Sequence, residues 1–135
     1  EEDFRNTSRV ILGGPRPATT RLKQFYSKIF PNAHIIKTDS TVAEMVKYLT
    51  NSFLAVKVSF ANEMYAICQS LEVDYDKVSE YALHDERLGN THWSVPGPDG
   101  HLGFGGSCFP KDINALMHLA QTLCIKLAIF TPGRF

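Results

Sequence analysis

The ten residues Gly103-Phe104-Gly105-Gly106-Ser107-Cys108-Phe109-Pro110-Lys111-Asp112 bring a thiol, an amine and a carboxylate together beside a run of glycines. The glycines at 103, 105 and 106 remove side chains, so another molecule can approach the backbone closely. Pro110 suits the first turn of a helix, where its missing N–H forfeits no hydrogen bond. The run from Asp112 to Ala120 continues that helix, to roughly Leu123. Cys108 is therefore expected just before a helix N-terminus, where unpaired backbone N–H groups and the positive end of the dipole favour a thiolate. Lys111 adds positive charge. Asp112, four residues on, can lie near the sulfur if the first turn forms at once. An activated thiol beside a glycine cradle suits nucleophilic catalysis. The competing reading is a helix start whose cysteine is a small core residue. Neither common phosphate-loop pattern is present: the G-x-x-x-x-G-K-[ST] spacing is missing, and Cys108 stands where the third glycine of G-x-G-x-x-G would fall.

Composition narrows the field. The sequence has 135 residues, 44% hydrophobic and 21% charged, with fourteen basic residues balancing fourteen acidic ones. That balance points to neither nucleic acid nor an anionic membrane as partner. No signal peptide and no membrane-length apolar run is present. Three cysteines, at 68, 108 and 124, are an odd number without C-x-x-C spacing. This argues against a disulfide framework and against a zinc site, and suggests a reducing cytoplasm. The histidines at 34, 84, 92, 101 and 118 show no metal-ligand spacing.

These residues need a scaffold, and the spacing predicts one that is mainly α. Arg9-Val10-Ile11-Leu12-Gly13-Gly14 reads as a short buried strand ending in a glycine turn. Pro15 and Pro17 break the chain, and Thr19 or Thr20 is expected to cap a helix running to about Phe30. His34-Ile35-Ile36-Lys37 reads as a second strand. Two strands and one helix bury too little to stand alone, so they join a larger sheet or lean on the helices that follow. Thr41-Val42-Ala43-Glu44 reads as a capping box opening a long helix to about Leu71. One apolar stripe runs through positions 42, 45, 46, 49, 53, 56, 60, 64, 67 and 71, and a second through Leu54, Val58, Ala61, Tyr65 and Cys68. At 1.5 Å per residue the rod is about 45 Å long. Two stripes on so long a helix call for a second copy of the chain. Lys47 and Asn51 share one face of this helix; alone they read as a solvated polar face, and they become catalytic only if that face meets the Cys108 loop. Asp74 is expected to cap a short helix to Leu83. The Gly- and Pro-rich stretch from His84 to Ser107 exceeds a passive connection in length.

Two motifs resemble the UDP-glucose/GDP-mannose dehydrogenase family. One is the stretch from Gly103 to Asp112. The other runs from Ala43 through Lys47 and Asn51 to Ala55, continued by Lys57, Ser59, Phe60, Asn62 and Glu63. The resemblance implies an NAD-dependent enzyme that oxidises the C6 alcohol of a sugar nucleotide to a carboxylate in two hydride transfers. It implies a three-part design: a Rossmann domain for NAD, a helical middle domain that dimerises through a long helix, and a second Rossmann-like domain. Residues 1–38 then correspond to the end of the NAD domain and 39–135 to the central domain, with a homodimer through the 41–71 helix. Cys108 matches the nucleophile that forms a thiohemiacetal and then a thioester. Lys47 matches the lysine that stabilises the oxyanion, and Asn51 the residue that holds the substrate oxygen and water. Asp112 matches the carboxylate that orients Lys47 and the water. Arg87 resembles the arginine that reaches a neighbouring subunit's substrate. His101, Gly103, Phe104 and Gly105 fall on the loop lining the sugar nucleotide. Cys108 and Lys111 fall where the family approaches NAD. UDP-glucose is the expected substrate, with GDP-mannose or a purely structural dimerisation module as alternatives. The missing G-x-G-x-x-G and third domain imply no turnover by these residues alone. Residues 124–135 depart from the family pattern.

Overall fold

The computed structural model describes residues 6–105 and 108–129. The chain is mainly α, with one small parallel sheet. The elements run β1 (Arg9–Gly13), α1 (Arg16–Ile29), β2 (His34–Thr38), α2 (Ser40–Ser70), α3 (Tyr75–Ala82), a 3₁₀ turn (Glu86–Leu88) and α4 (Cys108–Thr122). Two compact units divide at Leu49 and Thr50, inside α2. No described helix is long and apolar enough to cross a membrane.

The first unit is a β-α-β motif. β1 and β2 pair in parallel, with Arg9 opposite His34 and Gly13 opposite Thr38. α1 packs on both strands. Gly13 permits the close approach of α2: a Cβ there would fall 2.7 Å from the Ala43 Cβ and 3.0 Å from the Ser40 Cα. The start of α1 corrects the sequence expectation. Neither Thr19 nor Thr20 caps it. Pro15 occupies the N-cap and Pro17 sits in the first turn, where proline forfeits nothing. Thr19 is buried inside the helix, its hydroxyl donating to the carbonyls of Pro15 and Arg16 at 3.2 Å each. The start of α2 also shifts. Asp39 supplies the cap, its Oδ1 accepting from Val42 N at 2.9 Å, in place of the expected Thr41 box.

The second unit is built on α2, whose two apolar stripes have different fates. Ala61 and Cys68 are buried, and with Tyr75 and Val95 they form a core against which Met64, Tyr65, Val78 and Trp93 pack. Leu49, Phe53, Phe60, Ile67 and Leu71 of the other stripe are exposed, Leu49 by 72%. α3 starts as expected, with Asp74 accepting from the backbone N–H groups of Asp76 and Lys77. Its first residue, Tyr75, donates its hydroxyl to the carbonyl of Trp93 at 2.7 Å and meets Tyr65 edge-on at 5.6 Å.

That hydroxyl ties α3 to the long connection. Tyr75→Phe is expected to lower unfolding stability by about 1 kcal/mol at neutral pH, as measured by denaturant midpoint. Burial, reinforced by Cys68 and Asp76, pushes the Tyr75 phenol above its ordinary value. A folded value above the unfolded one makes the contribution fully present below pH of about 10, the ordinary tyrosine value, and lost as pH rises through the folded value. The Phe variant is expected to show a shallower fall in stability on the alkaline side.

Candidate active site

Cys108 lies within α4, described over Cys108–Thr122, and not just before the helix as the sequence suggested. An exposed thiol thus stands in the first described turn of the helix. Asp112 lies one turn along and is only 2% exposed. Its Oδ2 accepts from Asn51 Nδ2 at 2.6 Å, and its Oδ1 lies 3.7 Å from the Lys111 amine, which projects into solvent. A buried carboxylate needs such partners, because desolvation penalises its charge. This bond joins α2 to the first turn of α4 and brings together two of the sequence-picked residues that lie 61 positions apart. Lys47, one turn before Asn51 on α2, belongs to the first unit; its amine lies 5.7 Å from the centre of the Tyr48 ring.

The glycine loop is held from α2 as well. The N–H of Gly103 donates to Asn62 Oδ1 at 2.8 Å, while Asn62 Nδ2 donates back to the Val58 carbonyl. Gly103 adopts a φ of 81°, a conformation that suits glycine. His101 is exposed, and its N–H donates to Asp99 Oδ1 at 3.1 Å. Gly105 lies close to the Asp99 carboxylate: a Cβ there would come within 2.7 Å of Asp99 Oδ2, and the exposed Asp99 side chain would have to turn aside. Phe104 meets Phe109 edge-on at 6.5 Å, and His92 meets Phe109 at 5.9 Å. The three rings line a predominantly apolar groove of about 440 Å³ bounded also by Val58, Asp99 and Gly103. Burial, with the charge of Lys57 nearby, pushes His92 below its ordinary value. Gly106 and Ser107 of the motif lie outside the described residues.

Arg87 stands in the 3₁₀ turn with an exposed side chain. Its Nε donates to both carboxylate oxygens of Asp85, at 2.9 and 3.1 Å, and its terminal nitrogen also bonds Oδ2. The guanidinium holds the Asp85 carboxyl below the usual range.

The sequence gives Asn62, Asp99 and His92 no role at this site. Asn62 carries a usable signal, its place in the second motif. Asp99 and His92 carry none, because only the folded loop brings them to the groove.

The fold and site define a mainly α domain that presents an exposed thiol at a helix start, beside a buried amide–carboxylate pair and a glycine loop. Residues 41–133 match the model of the UDP-glucose/GDP-mannose dehydrogenase family, central domain. The chain belongs to that family. It is 39% identical over 122 residues to a UDP-glucose 6-dehydrogenase of Pseudomonas aeruginosa, covering 89% of this chain and 26% of that protein. It is 43% identical over 112 residues to the UDP-glucose 6-dehydrogenase YwqF of Bacillus subtilis, covering 83% and 24%. A UDP-glucose dehydrogenase structure from the hyperthermophilic archaeon Pyrobaculum islandicum superposes with a TM-score of 0.76 at 36% identity, over 95% of this chain and 28% of that one. The chain thus spans about a quarter of the length of the curated relatives it matches.

Proposed function

We propose that this chain forms the catalytic and dimerising core of an NAD-dependent UDP-glucose 6-dehydrogenase, acting in the cytoplasm, that oxidises UDP-glucose to UDP-glucuronate. The observation that carries this reading is the bond between Asn51 and the buried Asp112, one turn along α4 from the Cys108 thiol.

Once the C6 alcohol has become an aldehyde, the Cys108 sulfur attacks that carbon and forms a thiohemiacetal. Lys47 offsets the charge on the oxygen as it develops. Loss of the second hydride turns the adduct into a thioester. Water attacks the thioester carbon, the carbon–sulfur bond breaks, and the thiol is returned with the carboxylate product. An Asn51 amide that gives one N–H to Asp112 has a second N–H and a carbonyl for the substrate oxygen and the water. Asp112 orients that water and Lys47. Arg87 reaches the substrate of the neighbouring subunit, and the loop from His101 to Gly105 lines the sugar nucleotide. Two NAD molecules, bound in turn, would each accept one of the two hydrides that leave C6. The helix start at Cys108 and the exposed Lys111 amine fit the edge of an anionic dinucleotide, and they are the residues here that would hold it; the remainder of such a site needs a glycine fingerprint that this sequence lacks. The exposed stripe of α2, with Phe53, Phe60 and Ile67, suits the homodimer interface.

Alkylation gives the direct test. Cys68 is buried, so the informative comparison is between the two exposed thiols, Cys108 at the start of α4 and Cys124 beyond its end. With iodoacetamide near neutral pH, Cys108 is expected to react at least about tenfold faster, because the helix start faces an anion with N–H groups and the helix end with carbonyls. UDP-glucose is expected to protect it. Equal rates for the two thiols, unaffected by UDP-glucose, would remove the nucleophile from this reading and leave a structural dimerisation module.

A further inference from the structure

Lys57 is a charged residue that the reaction outlined above does not use. It lies on α2 with 9% of its surface exposed. Its ammonium donates to the carbonyls of Leu88 and Gly89, at 2.8 and 3.0 Å, and sits 4.9 Å from the centre of the Trp93 ring. Trp93 Nε1 donates to the same Gly89 carbonyl at 2.8 Å. Among the described residues no carboxylate pairs with Lys57, and burial pushes its pKa down. An apolar side chain of the same length would fill this place without the cost of desolvating a charge. What the ammonium adds is direction: two donors aimed at consecutive carbonyls. Gly89 makes that aim possible, since its φ of 62° turns the chain so that both carbonyls face one nitrogen.

The two carbonyls directly follow Arg87. Within the turn the Leu88 N–H bonds the Asp85 carbonyl and the Gly89 N–H the Glu86 carbonyl, at 3.0 and 3.2 Å, and both the Arg87 N–H and its guanidinium bond the Asp85 carboxylate. The Lys57 ammonium thus fastens this exposed turn to the long helix.

We propose that Lys57 is a positioning residue for Arg87: its ammonium pins the Glu86–Gly89 turn to α2 and so holds the guanidinium where it meets the diphosphate of a sugar nucleotide. This rests on the reading of Arg87 as a substrate-reaching group. A bidentate arginine–phosphate pair depends on direction, so a loosened turn weakens it even with the arginine present.

The test uses the full chain as its gene encodes it, with Lys57→Met, Lys57→Arg, Arg87→Ala and the Met/Ala double variant. In Lys57→Met, amide hydrogen exchange of residues 85–90 is expected to speed up by about tenfold. KM for UDP-glucose is expected to rise by about tenfold in Lys57→Met and in Arg87→Ala, with a smaller change in kcat, and the double variant should be no worse than the poorer single one. Lys57→Arg, which keeps the charge and two donors, should restore both readouts. Unchanged exchange in Lys57→Met, or losses that multiply in the double variant, would overturn the proposal. A silent Arg87→Ala would instead overturn the reading of Arg87, with the exchange result still reporting whether Lys57 pins the turn. Should Lys57→Met not fold, Lys57→Gln, which retains an amide donor, carries the same comparison.

Discussion

Replacing Cys108 with alanine is expected to abolish oxidation of UDP-glucose by the full-length protein. The reaction proposed here passes through two sulfur-bound species, and no other described side chain at the start of α4 offers a nucleophile. NADH formation at saturating UDP-glucose should fall by three orders of magnitude or more, on the order of the losses seen when a nucleophile is removed from other enzymes. Binding should survive, because Cys108 is exposed and lies outside the buried core cluster. The check is steady-state kinetics beside a calorimetric titration with UDP-glucose: kcat lost and affinity changed by less than about threefold is the pattern of a group used only in the chemical steps. A Cys108→Ala variant that still forms NADH at a tenth of the parent rate would show that the thiol does not carry the reaction.

Much of this arrangement was legible in the sequence because it is local. α2 announces itself by apolar residues at steps of three and four, and α3 by Asp74 at its cap. The helix start beside Cys108 follows from Pro110 and the glycines before it. The misjudged helix starts have a shared physical cause. Pro15 and Pro17 fit a break in the chain, yet proline is equally at home in a first helical turn, and the sequence offers no way to choose between these roles. Asp39 and Thr41 are both competent caps two residues apart, and the choice falls to the chain entering from β2, with Gly13 pressed against Ser40. Which stripe of α2 would be covered was equally hidden. Periodicity shows two faces, but only Tyr75 and Val95, arriving from later in the chain, decide that Ala61 and Cys68 are the inner one. Lys57 marks the limit of such reading. A lysine two positions after the buried Ala55 looks like an ordinary charge until Leu88, Gly89 and Trp93 close over it.

The bond between Asn51 and Asp112 carries the second large expectation, and a double-mutant cycle separates its two roles. Asp112 is almost wholly buried, so removing its amide partner leaves a desolvated carboxylate short of a hydrogen bond, at a cost of about 1–3 kcal/mol. Asn51→Ala and Asp112→Ala are each expected to lower stability by that order, seen as a fall of several degrees, about 4–8 °C per kcal/mol for a domain of this size. The two losses should not add, because either change deletes the same bond. Activity should respond differently. Asn51→Asp places two carboxylates 2.6 Å apart where an amide now donates, and like charges at that distance cannot both stay ionised. Its expected result is a turnover loss of about a hundredfold or more with a new dependence on pH, since the pair must share a proton before it can hold water or a substrate oxygen. If Asn51→Ala and Asp112→Ala instead gave additive stability losses and Asn51→Asp kept the parent pH profile, the bond would be a packing detail of α2 against α4, and the catalytic role assigned to it would pass to other residues of the site.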